Sequence, residues 1–277
     1  KQWGLCVLNT YQSLKTLDRA AVRAAIRTGA YRSHTAGLAP GVLQSNLAIL
    51  PEKYALDFMR YCQRNPKPCP LSGVSDTGNP MMFTLGRAID IRTDVPAYNI
   101  YRNGTLETSV SDIGDIWQDD LVAFALGCSF TFQHALIKAG IDLWHIDNNT
   151  TVPMFRSNIE TIPAGPFHGK MVVSMRAIPE RQLDLVRAIS SKFPHAHGGP
   201  VHIGDPAEIG IADVAHPEWG DPAPVPDGQV TVFWACGVTP QVAIEQANLP
   251  ICITHKPGHM LITDVPEDAE FPILRPL

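Results

Sequence analysis

Short apolar runs punctuated by glycine and proline make up most of this chain, and their periods differ. Leu17 to Thr28 sets alanines and branched residues at helical spacing, with Arg19, Arg23 and Arg27 on one side, and Gly29 follows as a stop. Val42 to Gln63 reads as a second helical region, restarted near Pro51. Asn65-Pro-Lys-Pro-Cys-Pro70 cannot be helix, because its prolines fix the backbone in extended or turn geometry. Ile89 to Arg92 and Ala97 to Tyr101 read as strands, and Asn103-Gly104 as a hairpin turn. Trp117 to Leu126 reads as helix, and Thr131 caps a further helix that Gly140 ends. Strands are expected at Leu143 to Ile146, Pro153 to Ile159, Met171 to Met175 and Thr231 to Ala235. Pro179 to Phe193 and Thr239 to Ala247 are expected helices with proline near their starts. Ile251 to His255 and Met260 to Val265 flank the turn Lys256-Pro-Gly-His259.

Interspersed helices and strands make the class α/β or α+β. The pattern from 113 to 195 suggests a small two-layer unit inserted into a larger one formed by 1–112 plus 196–277.

Composition narrows the field. With 277 residues, 45% hydrophobic and 18% charged, the chain can bury a sizeable core without disulfide staples. A net charge of -5 with no basic run argues against nucleic acid as partner. Leu121 to Leu126 is too short to cross a bilayer, so no membrane partner is expected. Cysteines at 6, 62, 69, 128, 236 and 252 show no Cys-x-x-Cys and fit free thiols of a cytoplasmic protein. A small carboxylate substrate remains compatible with the negative charge, since a few arginines set the local sign. A homo-oligomer is left open.

The densest candidate chemistry is His195-Ala-His197-Gly-Gly-Pro-Val-His202-Ile-Gly-Asp205-Pro206. Imidazoles in a Gly/Pro loop suit proton transfer near neutral pH or metal ligation. If a divalent metal is bound, His197, His202 and Asp205 are its candidate ligands; metal-free acid/base catalysis is the preferred alternative. Cys236 lies between a strand end and a helix start, where free N–H groups favour a thiolate or a bound carboxylate, and Gly237 and Val238 supply those groups. Cys128, before the Thr131 cap, repeats this logic more weakly. Arg92, Arg156 and Arg176 sit in or beside apolar strands and are candidate carboxylate clamps. For any one of them a salt bridge or a solvated strand face is the competing account. His255 and His259 bracket a turn.

Several segments occur together in one order: Asn65-Pro-Lys-Pro-Cys-Pro, Asp90-Ile-Arg-Thr-Asp-Val-Pro96, Gly127-Cys-Ser-Phe, Pro163-Ala-Gly-Pro, His197 to Pro206, Ala235-Cys-Gly-Val-Thr-Pro-Gln241 and Thr254-His-Lys-Pro-Gly258. On these the chain resembles the hydro-lyase family also called the D-glutamate cyclase family, over nearly all of its length. The resemblance implies a fold with a larger three-layer α/β unit and a smaller two-layer α+β unit. It also implies a lyase that removes water, with D-glutamate converted to 5-oxo-D-proline as the associated activity, and a place in 5-oxoproline and amino acid metabolism. It favours His197, His202 and His255 over His195 and His259.

Cyclisation requires a neutral amine, a polarised carboxyl and an acid to expel water. The expected roles follow. His202, oriented by Asp205, is the base, and His197 or His255 the acid. Cys236 lines the carboxyl site or forms a thioester. The N–H groups of Gly237 and Val238 hold the oxyanion. Arg92 or Arg156 grips the α-carboxylate. No cofactor is required on this account. The rival accounts are a metal-dependent hydro-lyase on a hydroxy acid and a non-catalytic module binding 5-oxoproline or glutamate.

Overall fold

The fold is given by a computed structural model, which describes residues 10–270. Cys6 lies outside the described residues. In chain order the elements are α1 (Tyr11–Leu14), α2 (Arg19–Arg27), β1 (Val42–Pro51), α3 (Glu52–Arg64), β2 (Leu71–Val74), β3 (Tyr98–Arg102), β4 (Thr105–Val110), β5 (Leu121–Gly127), α4 (Phe130–Lys138) and α5 (Trp144–Asp147). There follow β6 (Met154–Glu160), β7 (Lys170–Pro179), α6 (Leu183–Ser190), β8 (His202–Ile203), β9 (Gln229–Ala235), α7 (Thr239–Ala247), β10 (Cys252–His255) and β11 (Leu261–Pro266).

The strands form two antiparallel sheets. The larger runs β2-β5-β1-β10-β3-β4, with β11 also pairing β1, and the smaller runs β6-β7-β9-β8. The mixed α/β class therefore holds. α3 and α7 cover one face of the large sheet, where Phe58, Tyr61 and Ile244 pack on Leu50, Phe124 and Cys252. Its other face is covered by the turn-rich segment carrying Met82, Leu85, Ile89, Ile91 and Val95. The small sheet has α4 and α6 on one face, with Phe132, Leu136 and Val186 packed on Val172, Val232 and Trp234. Sheet membership cuts the chain differently from the expected 113–195 unit. β5 belongs to the large sheet, and β8 and β9 belong to the small one.

Four expected elements are corrected. Val42–Pro51 is a strand and not a helix, buried along its whole length, and Pro51 is the corner from which α3 starts. Trp117 to Leu126 is likewise not helix: β5 occupies its second half as a central strand paired to both β1 and β2. A strand buried on both faces loses polar alternation, and a continuous apolar run then looks the same as a buried helix. Leu143 to Ile146 is mostly the short helix α5. Ile89 to Arg92 is a turn, touching Met81 through one isolated bridge at Asp90. The Asn103-Gly104 hairpin forms as expected, with both residues at positive φ, 48° and 74°.

Candidate active site

Strand alternation places the site. Along β7, Val172, Ser174, Arg176 and Ile178 share one face, since the side-chain period is two. Ser174 pairs Trp234 and Arg176 pairs Val232 on β9. Val172, Ile178, Val232 and Trp234 belong to the core beneath α4 and α6, so a guanidinium has been folded into an apolar stripe.

Arg176 is 3% exposed. Its Nη1 donates to Ser174 Oγ at 3.1 Å, and its Nη2 donates to Ser129 Oγ at 3.1 Å. Its guanidinium carbon lies 5.4 Å from the Phe132 ring centre and 5.1 Å from that of Trp234. No carboxylate pairs with it among the described residues, and its Nε has no partner. Burial lowers its pKa to about 10, so it stays charged at neutral pH. A buried charge held only by hydroxyls and ring faces is costly unless an anion completes it.

Further polar atoms in this core also lack partners. Trp234 Nε1 and His197 Nε2 are buried and unbonded. Native interiors rarely leave such atoms unsatisfied. His197 is 1% exposed, and its Nδ1 lies 2.8 Å from the carbonyl of Lys67. A carbonyl only accepts, so Nδ1 carries the hydrogen and Nε2 presents a free lone pair. Burial lowers the pKa of His197 to about 4; the Lys67 carbonyl raises it and the Arg176 charge lowers it further. The residue sits at φ 77°, a left-handed conformation that costs a non-glycine residue about 1–3 kcal/mol. His145 is held well below the usual histidine range by burial and by Arg176.

Cys128 and Cys236 belong to the same core and feel the same charge. Burial pushes Cys236 up to about 11, although the N–H of Val238, the Arg176 charge and the N–H of Gly237 each pull it down. Cys128 is pushed up to about 12. Both are thiols at neutral pH, which corrects the expected thiolate at Cys236. Cys236 Sγ lies 3.5 Å from Met154 Sδ.

The large sheet closes against this core through backbone. Asn46 Nδ2 donates to the carbonyls of Leu126 at 3.2 Å and Gly127 at 2.8 Å. A Cβ on Gly237 would overlap the Asn46 carboxamide, and one on Gly127 would overlap the His195 carbonyl. Glycine is required at both positions because the strand ends approach so closely. Next along β1, Leu47 N donates to His255 Nδ1 at 3.1 Å, which leaves His255 Nε2 buried and unpartnered. Burial lowers the His255 pKa to about 4. The imidazole lies where β1 leaves β10 and takes β11 as its neighbour.

Several expected site residues fall elsewhere. His202 pairs Phe233 on β9, the residue between Val232 and Trp234, so its side chain lies on the opposite face of the sheet from Arg176. There its ring is 5.8 Å from that of Phe233. The Asp205 carboxylate does not orient it: His202 Nε2 lies 2.8 Å from the backbone carbonyl of Asp205, while the carboxylate accepts from Ala207 N at 2.9 Å and caps a helical turn. His197, His202 and Asp205 therefore do not form the expected metal ligand set, and no group of three or more metal-binding side chains occurs among the described residues. Arg92 is engaged by Asp90 at 2.7 Å, the salt bridge its sequence neighbours allowed. Arg156 is 42% exposed at a side-chain level, lies over the Trp219 ring at 4.8 Å and reaches Glu245 at 3.5 Å. Of the three candidate clamps only Arg176 has no carboxylate. Ser129, His145, Trp234 and Asn46 escaped notice in the sequence. Gly237 is a signal for Asn46 alone, since a glycine before a helix implies something pressed against it, here the Asn46 carboxamide.

Comparison with known proteins settles the kinship. The family model described as D-glutamate cyclase matches residues 122–264, which include Arg176, His197, Cys236 and His255. A protein named "putative hydro-lyase" from Dinoroseobacter shibae is 74% identical over 96% of this chain and 89% of its own length. The chain belongs to the D-glutamate cyclase family. Proteins of the same name from Ruegeria pomeroyi (72% identical, covering 95% of this chain and 96% of that one) and Verminephrobacter eiseniae (57%, covering 90% of each) extend the family likeness. A solved nitrogen repressor-like protein from Methanococcus jannaschii aligns at TM-score 0.38 and 11% identity, covering 85% of this chain and 91% of that one. That likeness is too weak to carry any argument. No helix among the described residues is long and apolar enough to cross a membrane.

Proposed function

We propose that this member of the family is a dehydrating lyase for a small carboxylic acid, and that cyclisation of D-glutamate to 5-oxo-D-proline is the reaction its site suits best. The observation that carries the proposal is Arg176, a buried cation with no anion of its own. A substrate carboxylate supplies that anion and accepts from Nε. The aromatic faces and serines then hold the guanidinium rigidly, so that binding orders little else.

His197 takes the place first expected for His202. Its free Nε2 lone pair accepts a proton from the substrate ammonium, exposing the amine. The amine nitrogen bonds to the γ-carboxyl carbon, and a carbon–oxygen bond breaks. Two ammonium protons leave with the departing oxygen as water, one of them relayed by His197. The substrate anion beside Arg176 offsets the charge that lowers the His197 pKa, and so makes it a better base when substrate is bound. Cys236 and Cys128 line the site as thiols. The N–H groups of Gly237 and Val238, already turned toward Cys236, steady negative charge nearby. His255 Nε2 is a further donor held on the large-sheet side. The reaction drawn this way uses side chains and two backbone N–H groups of this chain.

The test is incubation of the purified chain with D-glutamate, L-glutamate and short hydroxy acids, followed by proton NMR for the lactam ring or a new double bond. Lactam from D-glutamate that disappears in Arg176→Met supports the proposal. A double bond from a hydroxy acid alone would move it to the rival dehydratase. No product from any of them overturns it.

A further inference from the structure

Lys67 stands between two prolines in the turn that follows α3, and the chain there is held from both ends. Asn65 N donates to the carbonyls of Tyr61 at 3.0 Å and Cys62 at 3.1 Å, and its side-chain amide donates to those of Tyr61 at 2.9 Å and Ile162 at 2.8 Å. Cys69 N donates to the Asn65 carbonyl at 3.0 Å, and the Pro70 carbonyl accepts from Gly127 N at 2.8 Å. Pro66 and Pro68 restrict the backbone on either side of the lysine. The turn therefore presents Lys67 from a fixed base.

That base lies against the histidine loop. The Lys67 carbonyl is the group that accepts from His197 Nδ1 at 2.8 Å. Lys67 Nζ lies 4.0 Å from the point that a Cβ on Gly198 would occupy, so the ammonium rests beside the residue that follows His197. The side chain is half-buried, and burial lowers its pKa. Among the described residues Nζ has neither a hydrogen-bond partner nor a carboxylate. The other cation whose charge reaches His197 is Arg176, which also has no carboxylate. One imidazole thus has two unpaired cations in reach.

Ring closure explains why two are needed. In the reactive pose the substrate nitrogen is bonded to the carbon that carries one carboxylate and approaches the carbon of the other. A base serving that nitrogen therefore works between two carboxylates. Arg176 supplies the cation for one of them, and the second would otherwise leave water uncompensated. We infer that Lys67 binds this second carboxylate, the one that is attacked, and so selects dicarboxylic substrates over monocarboxylic ones of the same size. The assignment rests on the reading of Arg176 and His197 given above. It also gives the attacked carboxyl a cation that draws electron density from its carbon.

The test pairs isosteres. Glutarate and glutaramate have the same heavy-atom shape, but the second carries a neutral carboxamide in place of one carboxylate. Neither has an amine, so neither cyclises. Binding of each is measured by calorimetry near neutral pH. The parent protein should bind glutarate at least about tenfold more tightly, the worth of one charge-assisted contact. Lys67→Met should bring glutarate down to the affinity of glutaramate and leave glutaramate within about twofold, while Lys67→Arg restores the preference. Both variants keep the backbone carbonyl that holds His197, and unchanged melting temperatures check that the turn is intact. Arg176→Met should weaken both probes. Equal binding of the two probes by the parent protein, or a preference that survives in Lys67→Met, overturns the inference. Loss of the preference in Lys67→Met with both probes still bound normally by Arg176→Met keeps the assignment of Lys67 and overturns the reading of Arg176 instead. No binding of either probe overturns both.

Discussion

Two buried arginines in this protein live under opposite terms. Arg23, on α2, is 6% exposed; it donates to Asp264 at 2.7 Å and to the Ile262 carbonyl at 3.2 Å, and so clasps α2 to β11. Arg176 is buried as deeply and meets only hydroxyls and ring faces. Arg23 arrives with its counter-ion in the chain, and the pair is complete on folding. Arg176 carries its charge into the core with no carboxylate beside it among the described residues, and in the proposed function the substrate supplies the anion. Burial alone therefore does not make an arginine a candidate for substrate binding; burial without a carboxylate does.

The contrast is broken or sharpened by four measurements. The largest effect is expected from Arg176→Met, which removes the charge and keeps the bulk. Turnover should fall by about 10³, as for loss of a preorganised charge-stabilising donor. The melting temperature should hold or rise, because an unpaired buried cation is being relieved. A variant that keeps its turnover, or one that melts early, would make Arg176 an ordinary structural arginine like Arg23.

Acid comes next. His197 and His255 are neutral in the folded protein with pKa values of about 4, below the unfolded value of about 6.5. Between those values the unfolded chain binds protons that the folded one refuses. Stability is therefore full above pH 6.5 and falls as pH drops toward 4, by up to about 3 kcal/mol per histidine. Urea melts across that range should show the loss, and His197→Asn should reduce its steepness. A flat profile in the parent protein would mean that both imidazoles are solvated.

Third, His197→Ala should cost at least about 10²-fold in turnover, the usual share of a positioned proton carrier, while His202→Ala on the far side of the sheet stays within about twofold. The reverse outcome would restore the loop reading made from sequence. Last, Arg23→Met should leave turnover alone and cost about 2 kcal/mol in urea melts. That is less than the full loss of a buried pair, because Asp264 keeps Arg19 at 3.0 Å and the Arg87 N–H at 2.9 Å.

The sequence disclosed the parts of this arrangement that short-range rules govern. The Asn103-Gly104 turn, the entry to α7 at Thr239-Pro240 and strand β9 all lie where turn chemistry and apolar runs put them. β1 and β5 do not show their period in the sequence, because both are buried at every position and neither has a solvated polar side. The site was half visible. His197, Cys236 and Cys128 are each brought within electrostatic reach of Arg176. His202 is only five residues from His197, yet pairing β8 to Phe233 turns it to the other face. Proximity along the chain cannot report which side of a sheet a residue will take. Only strand register does that, and register here depends on β9, nearly thirty residues later. Arg92, Arg156 and Arg176 look alike in sequence, and what separates them is whether a carboxylate waits nearby in three dimensions.

The pairing of β1 also bears on when the molecule can be finished. Ala48 and Ile49 wait for Thr254 and Ile253, and Ser45 waits for Leu261, about two hundred residues downstream. The four strands of the small sheet, by contrast, all fall within 154–235. During synthesis the small sheet can assemble on emerging from the ribosome, while β1 must idle unpaired on one flank until the last strands are made. The apolar half of that strand, Leu47 to Leu50, stays open on that flank for as long.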